Sequence, residues 1–586
     1  DNQIKPLRLV TCRSVALATG PGSLCENAYE GVTRSFRVIL PSYSPHGELE
    51  IGDGSLDSLR SECLAISATP TDTELHIPVG DGGPDSPRVY ISAFTDDNCS
   101  SSENHVVKPY PFGLIGAKAP QGKLFHNNAT NRSVFFMKHG ASPGKGDLAT
   151  YFGDGADGIQ TIAADVDVSI VPLGGKTISA RRRITNISST SNSSILTVAA
   201  FSSPAHFAIG DEVMWHVSIA NTLTACDADV GAPYHLVGGS YGFAHVTSVQ
   251  TTMPFTIGID HVFPAEVSNL SLNLIKGNIT NPPQCVMQVI RVPNFGQLSI
   301  TGNPTLTANA FSLGTAGNAP TGNGGIIVMR VKDQLNIANG ATLTVDQNGS
   351  GYPGGDSVTP NLVTFQGVGP DGFTQGPCIP GCESPIGMAA GVGHSGDAGG
   401  GGGGHIGAGG NGGEASASMG EGGNQLTLRL FPHFIMMGAS GGHGQNLTIS
   451  STETGGPGGG IILIAAREIL GSSGSGSFQA NGNAGMAAGF NGGGGGAGGS
   501  VYLFTQFSNV NLTTSARGGA GAAGATEGGG GGGGGKILIQ SCMNLGGTET
   551  SNISGGALGN GGGTPATAGQ PGEHDLSIDS AHPFCP

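Results

Sequence analysis

The chain has 586 residues, of which 106 are glycine; 11% of the residues are charged and 37% are apolar. So little charge is at odds with charge-rich disorder, and glycine without a strict three-residue repeat excludes collagen. No apolar run approaches the ~20 residues that cross a bilayer as a helix, so no membrane insertion is expected, and a net charge of −16 without a basic stripe excludes nucleic acid as the expected partner. Long glycine tracts and few helix formers leave an all-β class.

Residues 1–110 hold almost no glycine runs. Alternating stretches such as Arg34-Ser35-Phe36-Arg37-Val38-Ile39-Leu40 and Val89-Tyr90-Ile91-Ser92-Ala93-Phe94 predict half-buried strands, and four cysteines fall here. The expectation is a disulfide-bonded β-sandwich. Residues 111–150 have the composition of a linker or connecting arm. From 151 to 320 short apolar stretches recur, among them Ile195-Leu196-Thr197-Val198 and Gln288-Val289-Ile290-Arg291-Val292. They predict the strand-rich opening of a solenoid.

Across 321–586 a repeat emerges. Glycines lead into short apolar strands at Ile326-Ile327-Val328, Ile461-Ile462-Leu463-Ile464, Val501-Tyr502-Leu503 and Ile537-Leu538-Ile539, the last three starting 40 and 36 residues apart. A unit of strand, turn, strand and glycine loop cannot bury its apolar face alone, so stacked units must form the core. The expected fold is a glycine-rich parallel β-helix, or solenoid, closed by a C-terminal cap. The runs 399–404, 492–496 and 528–535 are either disordered loops or extended polyglycine helices of three residues per turn. Their succession beside strands of similar register favours ordered polyglycine loops, because glycine lets backbones touch and pair N–H with C=O.

Ten cysteines (Cys12, Cys25, Cys63, Cys99, Cys226, Cys285, Cys378, Cys382, Cys542 and Cys585) form no metal-ligand spacing and predict disulfides in an oxidising compartment. N-glycosylation sequons begin at Asn98, Asn128, Asn131, Asn186, Asn192, Asn269, Asn278, Asn348, Asn446, Asn511 and Asn552. Together they point to a secreted, extracellular glycoprotein carrying N-linked glycans. Asp1 is read as a mature N-terminus, and no anchor signal is found at the other end.

The ordered succession FGDGADG (152–158), ILTVAAFSSPAHFAIGDEV (195–213), QVIRVPNFGQLSITGNPTLTA (288–308), GNGGIIVMRV (322–331), GGPGGGIILIAA (455–466) and GGGGGAGGSVYLF (492–504) resembles large glycine-rich surface proteins best known from bacteria, including gliding-motility-associated proteins of myxobacteria. The resemblance implies a repetitive surface scaffold and no established catalytic residues. The sequons and the cysteine-rich N-terminal region depart from the bacterial pattern and suggest a eukaryotic, algal-like relative.

Several motifs imitate chemistry. Ser240 and Ser440 lie in GxSxG, but no helix follows either serine to make a nucleophile elbow. The run 528–535 before Lys536 imitates a phosphate loop, yet Ile537 stands where a magnesium-binding hydroxyl belongs. Asp53, Asp81, Asp154 and Asp157 in Asp-Gly turns are read as turn residues rather than calcium ligands, and His394, His405 and His443 as solvated loop histidines. Arg181-Arg182-Arg183 is read as the exposed face of a strand rather than a processing site, and Trp215 as a core anchor. No catalytic, cofactor or metal residues are expected. The function expected is that of a structural protomer, partnered by copies of itself in an extracellular filament or surface coat. A cell-surface adhesin or carbohydrate-binding protein is the alternative, and a polysaccharide-active β-helix enzyme the less favoured third.

Overall fold

A computed structural model describes most of residues 152–578, together with short strands between Pro6 and Lys138. The described residues are all-β and contain no α-helix. Near the N-terminus the chain forms a pair of four-stranded antiparallel sheets. One orders Phe36–Ile39, Glu48–Asp53, Arg132–Lys138 and Gln121–Asn127, and the other Val10–Thr11, Cys63–Ser67, Val89–Phe94 and Ser102–Val107. The first sheet takes two strands from the stretch read as a linker or arm.

Beyond residue 152 parallel strands stack in register in three columns. Stack A contains residues 326–331, 461–466, Ser500–Thr505, Lys536–Ser541 and Glu573–Ile578. Stack B contains Ile159–Ile162 and residues 297–300, 334–337, 468–470 and 507–509. Stack C contains Val166–Asp167, Thr305–Thr307, Thr342–Thr344, and residues 477–479, 512–515 and Glu549–Asn552. The chain visits A, then B, then C, and starts again one row further on.

One apolar cluster lies among the three stacks. It takes Ile327, Ile462, Val501 and Ile537 from A, Leu298, Leu335 and Ile469 from B, and Leu306, Leu343 and Phe478 from C. The alternate residues of A, Ile326, Ile461, Leu463, Tyr502 and Phe504, join a second cluster on the opposite face. Stack A is therefore buried on both faces at 326–331, 461–466 and Ser500–Thr505. That is why Ile461–Ala466 and Val501–Phe504 read as unbroken apolar runs, whereas Phe507–Ser515 alternates.

The region 151–320 is not a uniform solenoid opening. A closed six-stranded antiparallel barrel interrupts it, made of Arg181–Ser189, Ser194–Val198, Thr256–Ile259, Tyr241–Gln250, Glu212–Ala220 and Cys285–Val292 in that order around the ring. Its interior is filled by Ile184, Leu196, Val213, Trp215, Val217, Val246, Ile257 and Val289. The outward residues Met214, Phe243, Ile290 and Val292 pack on the second face of stack A. Closure leaves the barrel no free edge.

The glycine runs form a body of their own. From the row that begins at Ile461 onward, the chain leaves stack C along one glycine-rich segment and returns to stack A along another. Run 399–404 shows the bonding. Gly400 and Gly403 donate their N–H to Gly492 O and Gly495 O at 3.0 and 2.8 Å, and Gly530 and Gly533 donate to Gly400 O and Gly403 O at 2.9 and 2.8 Å. Gly399 and Gly402 donate to Gly413 O and Gly410 O, and Gly442 donates to Gly401 O. Partners recur every third residue and change direction between residues, the signature of extended three-fold helices packed side by side. The runs 399–404, 492–496 and 528–535 are buried. Each paired group keeps a buried backbone dipole satisfied.

Candidate functional site

The charges of this charge-poor chain converge where the barrel meets the first rows of the stacks. The turn at 153–158 needs glycine, since Gly153, Gly155 and Gly158 adopt φ of 91°, 80° and 70°. It delivers Asp157 to Arg291 of the barrel, whose Nη2 donates to Asp157 Oδ1, while the Asn294 N–H donates to Oδ2 at 2.8 Å. Arg291 Nε also lies 3.2 Å from Asp211 Oδ2. Lys176 Nζ donates to Asp211 Oδ1 at 2.6 Å and the Ala208 N–H to Oδ2 at 2.7 Å.

One residue along, Glu212 pairs with Arg330 of stack A and accepts from Asn294 Nδ2 at 3.1 Å. Arg330 is 1% exposed and its guanidinium stands 5.0 Å from the centre of the Phe243 ring, a cation–π contact. A cleft of ≈ 180 Å³ opens beside this network, lined by Asp154, Asp157, Asp211, Glu212, His245 and Arg291 among others.

The electrostatics follow from these partners. Burial pushes Asp211 up, but the hydrogen bond from Lys176 and the charge of Arg291 outweigh it and hold the carboxyl below its usual range. The hydrogen bond to Asp260 raises His245 against the effect of burial, with Glu212 adding to the rise. Asp157, Asp211 and Glu212 are therefore committed to cations and N–H donors. The arrangement fastens the barrel to the stacks. Asp154 Oδ1 accepts from the Ala156 N–H at 2.8 Å, a turn role. No cluster of three or more metal-ligating side chains occurs among the described residues.

Other motifs resolve as follows. Ser240 precedes a barrel strand, Ser440 sits inside a buried glycine segment, and both are buried. Residues 528–535 belong to the glycine body, and Lys536 pairs with Glu573 at 3.1 Å and with Asp575. Trp215 packs in the barrel core with its ring 5.2 Å from both His261 and Phe263. Arg181, Arg182 and Arg183 lie in a barrel strand but not on an exposed face, since Arg181 is buried and the other two are half-buried between neighbouring strands.

His405 and His443 are not solvated. They are 1% and 2% exposed, because the loops expected to reach solvent are interior segments of the glycine body. His405 Nε2 lies 3.3 Å from Met436 O, and burial lowers this imidazole to about 4.

Among the sequons, Asn186 is half-buried on the barrel, while Asn511 and Asn552 are exposed on adjacent rows. Cys542 is buried and disulfide-bonded. The side chains of Cys12, Cys25, Cys63, Cys99, Cys226, Cys285, Cys378, Cys382 and Cys585 lie outside the described residues. So do those of Asn98, Asn128, Asn131, Asn192, Asn269, Asn278, Asn348 and Asn446, of His394, and of Asp53 and Asp81.

Sequence reading missed Glu212, Asn294 and Arg330 altogether. The available signal was a lone charge inside an apolar run, as in Gly325-Ile326-Ile327-Val328-Met329-Arg330-Val331, since a charge in a strand buried on both faces requires a partner. No protein-family model matches the chain, and neither curated proteins nor solved structures give a match.

Proposed function

We propose that this chain is the structural protomer of an extracellular glycoprotein filament or surface coat. The three stacks are read as a parallel β-helix whose rows are braced by ordered polyglycine loops. The two N-terminal antiparallel sheets are read as the halves of a β-sandwich. The observation that carries the reading is the glycine body, in which backbone groups of successive rows bond in several directions, as at Gly400, Gly401 and Gly403. Such bonding resists bending in every direction across the rows and uses no side-chain chemistry, which suits an element under mechanical load. Disulfides and N-linked glycans on this reading protect the assembly outside the cell.

An adhesive role has one observation in its favour. Met486 and Phe490, where one glycine segment turns back into the next, are 60% and 57% exposed. Negative-stain microscopy of the native material separates the readings: long regular fibres support the scaffold. Protein that is monomeric both in its native extract and when purified at high concentration defeats it. Binding of that monomer to a glycan surface favours the adhesin, and hydrolysis of a polysaccharide by it the enzyme.

A further inference from the structure

The chain's one run of three basic residues opens the first barrel strand, and its leading member is buried without a counter-charge. Arg181 is 2% exposed. Strand pairing sets it opposite Ile290, whose side chain packs outside the barrel, so Arg181 also leaves the barrel on the side that meets the stacks. Its Nε donates to Ser179 O at 3.3 Å, and the Ser179 N–H donates to Val168 O at 2.7 Å. The guanidinium therefore lies beside the turn that follows Val166–Asp167 of the first row.

Neither Nη1 nor Nη2 of Arg181 has a hydrogen-bond partner among the described residues, although both are buried. No carboxylate among those residues forms an ion pair with it, because the nearby ones are engaged elsewhere. Asp167 Oδ1 accepts from the Ser169 N–H at 2.9 Å and from the Ser169 hydroxyl. Asp157 and Asp211 pair with Arg291, whose own N–H donates to Ala180 O. Burial lowers Arg181 to about 10 against a through-space rise from Asp167, which leaves it charged at neutral pH.

A second polar atom at the same turn is unsatisfied. The Asn309 N–H donates to Ser169 Oγ at 3.3 Å, while Asn309 Oδ1 is buried and has no donor among the described residues. A buried cation whose donors lack acceptors is strongly unfavourable, and such groups in native structures call for an ion or a water. Water answers the N–H groups but not the charge.

We propose that Arg181 holds a small monovalent anion, of the kind of chloride or bicarbonate, between the first barrel strand and the first row of the stacks. Nη1 and Nη2 donate to it side by side, the arrangement in which a guanidinium takes the edge of an oxyanion or a single halide. Asn309 Oδ1 accepts from the O–H of bicarbonate, or from a water that accompanies chloride. The anion neutralises the buried charge and ties the strand at Arg181 to the turn at 167–169. The site is independent of the filament reading.

The test uses the full chain, equilibrated in gluconate, an anion too large to be buried there. Chloride or bicarbonate is then titrated in at constant pH and ionic strength, and amide hydrogen exchange is followed at 167–169, 179–183 and 309–311. Wild-type protection there should rise saturably, by ~100-fold when the anion reaches ~100 times its Kd, because opening releases it. Arg181→Met should not respond, and in gluconate it should be protected at least as well as wild type, since it lacks the unpaired buried charge. A wild-type response to either anion supports the site, and the stronger response names its ligand. Equal rises in wild type and Arg181→Met are a general salt effect and overturn the site, as does a wild type that responds to neither anion. Should Arg181→Met fail to fold, Arg181→Gln is read in the same titration, and a response equal to that of wild type overturns the site.

Discussion

Replacing Gly494 by alanine should unlock the glycine body. A Cβ at Gly494 would stand 2.0 Å from Gly401 O and 2.4 Å from its carbonyl carbon. Ordinary C···O approaches are ~3.3–3.6 Å, so the two segments must separate by more than ~1 Å. Three bonds run through the affected contacts: Gly400 to Gly492, Gly403 to Gly495, and Gly442 to Gly401. Losing a buried backbone bond costs ~1–3 kcal/mol, and overpacking adds ~1–3 kcal/mol, so loss of even one bond gives about 2–6 kcal/mol. The lower unfolded-chain entropy of alanine returns only ~0.4–1 kcal/mol.

Because separate regions of so long a chain need not unfold together, the assay should be local: amide hydrogen exchange followed by mass spectrometry. A loss of ~3 kcal/mol corresponds to ~150-fold lower protection, expected across 399–404, 439–442 and 492–499 and not in the barrel. Gly562→Ala is the control, since its nearest neighbour would be 3.4 Å away and the substitution should be neutral. Protection in Gly494→Ala within a few-fold of wild type would refute close backbone packing as the source of order.

Arg330→Met strands Glu212 without its cation and should cost about 3–5 kcal/mol by denaturant unfolding, whereas adding Glu212→Gln should recover much of that loss. Acidification should weaken the fold. Burial lowers His216 to about 4, His261 to about 3 and His405 to about 4. The unfolded chain takes up these protons first, near 6.5, so stability is full above that pH and falls toward pH 4, at most ~1.4 kcal/mol per pH unit for each histidine. His245, raised by Asp260, works in the opposite sense and is outnumbered; unfolding midpoints at pH 7.5 and 5 measure the balance. Peptide mass spectrometry should find glycans at the exposed Asn511 and Asn552 and no free thiol among the ten cysteines.

The stacks were legible because their physics is local. A strand buried on both faces must be a continuous apolar run, as at Ile461 and Val501, and a glycine segment leads into each of these strands and into the one at Ile537. The barrel was not legible. Its strands alternate with the same period of two as any half-buried strand, and only pairings such as Trp215 with both Gly242 and Val289 separate a ring from a stack. The partners of the glycine runs could not be read, since glycine carries no side chain to encode them. The position of His405 shows the consequence, because a histidine among glycines reads as solvated until the neighbouring segments are placed around it. The ionic joint was invisible for another reason: Glu212 and Arg330 are separated by 118 positions, with the rest of the barrel and one strand row between them.

The place chosen for the buried charges has its own logic. Apolar faces hold surfaces together without fixing their angle, since dispersion and burial are nearly non-directional. The barrel docks on stack A through such a face, formed by Met214, Phe243, Ile290 and Val292. Sliding or rotating it would still bury that face, but would separate Glu212 from Arg330 and Asp157 from Arg291. Leaving either partner buried and unpaired is expensive, so these pairs act chiefly against wrong placements. Arg330 lies in stack A and Asp157 in the turn before the first row, so the two pairs anchor the barrel at separate points. Two anchors fix an orientation where one would leave a pivot. The chain thus leaves register within the stacks to strand pairing, and places Asp211, Glu212, Arg291 and Arg330, four of the six buried charged residues among those described, at a joint that strand pairing alone does not set.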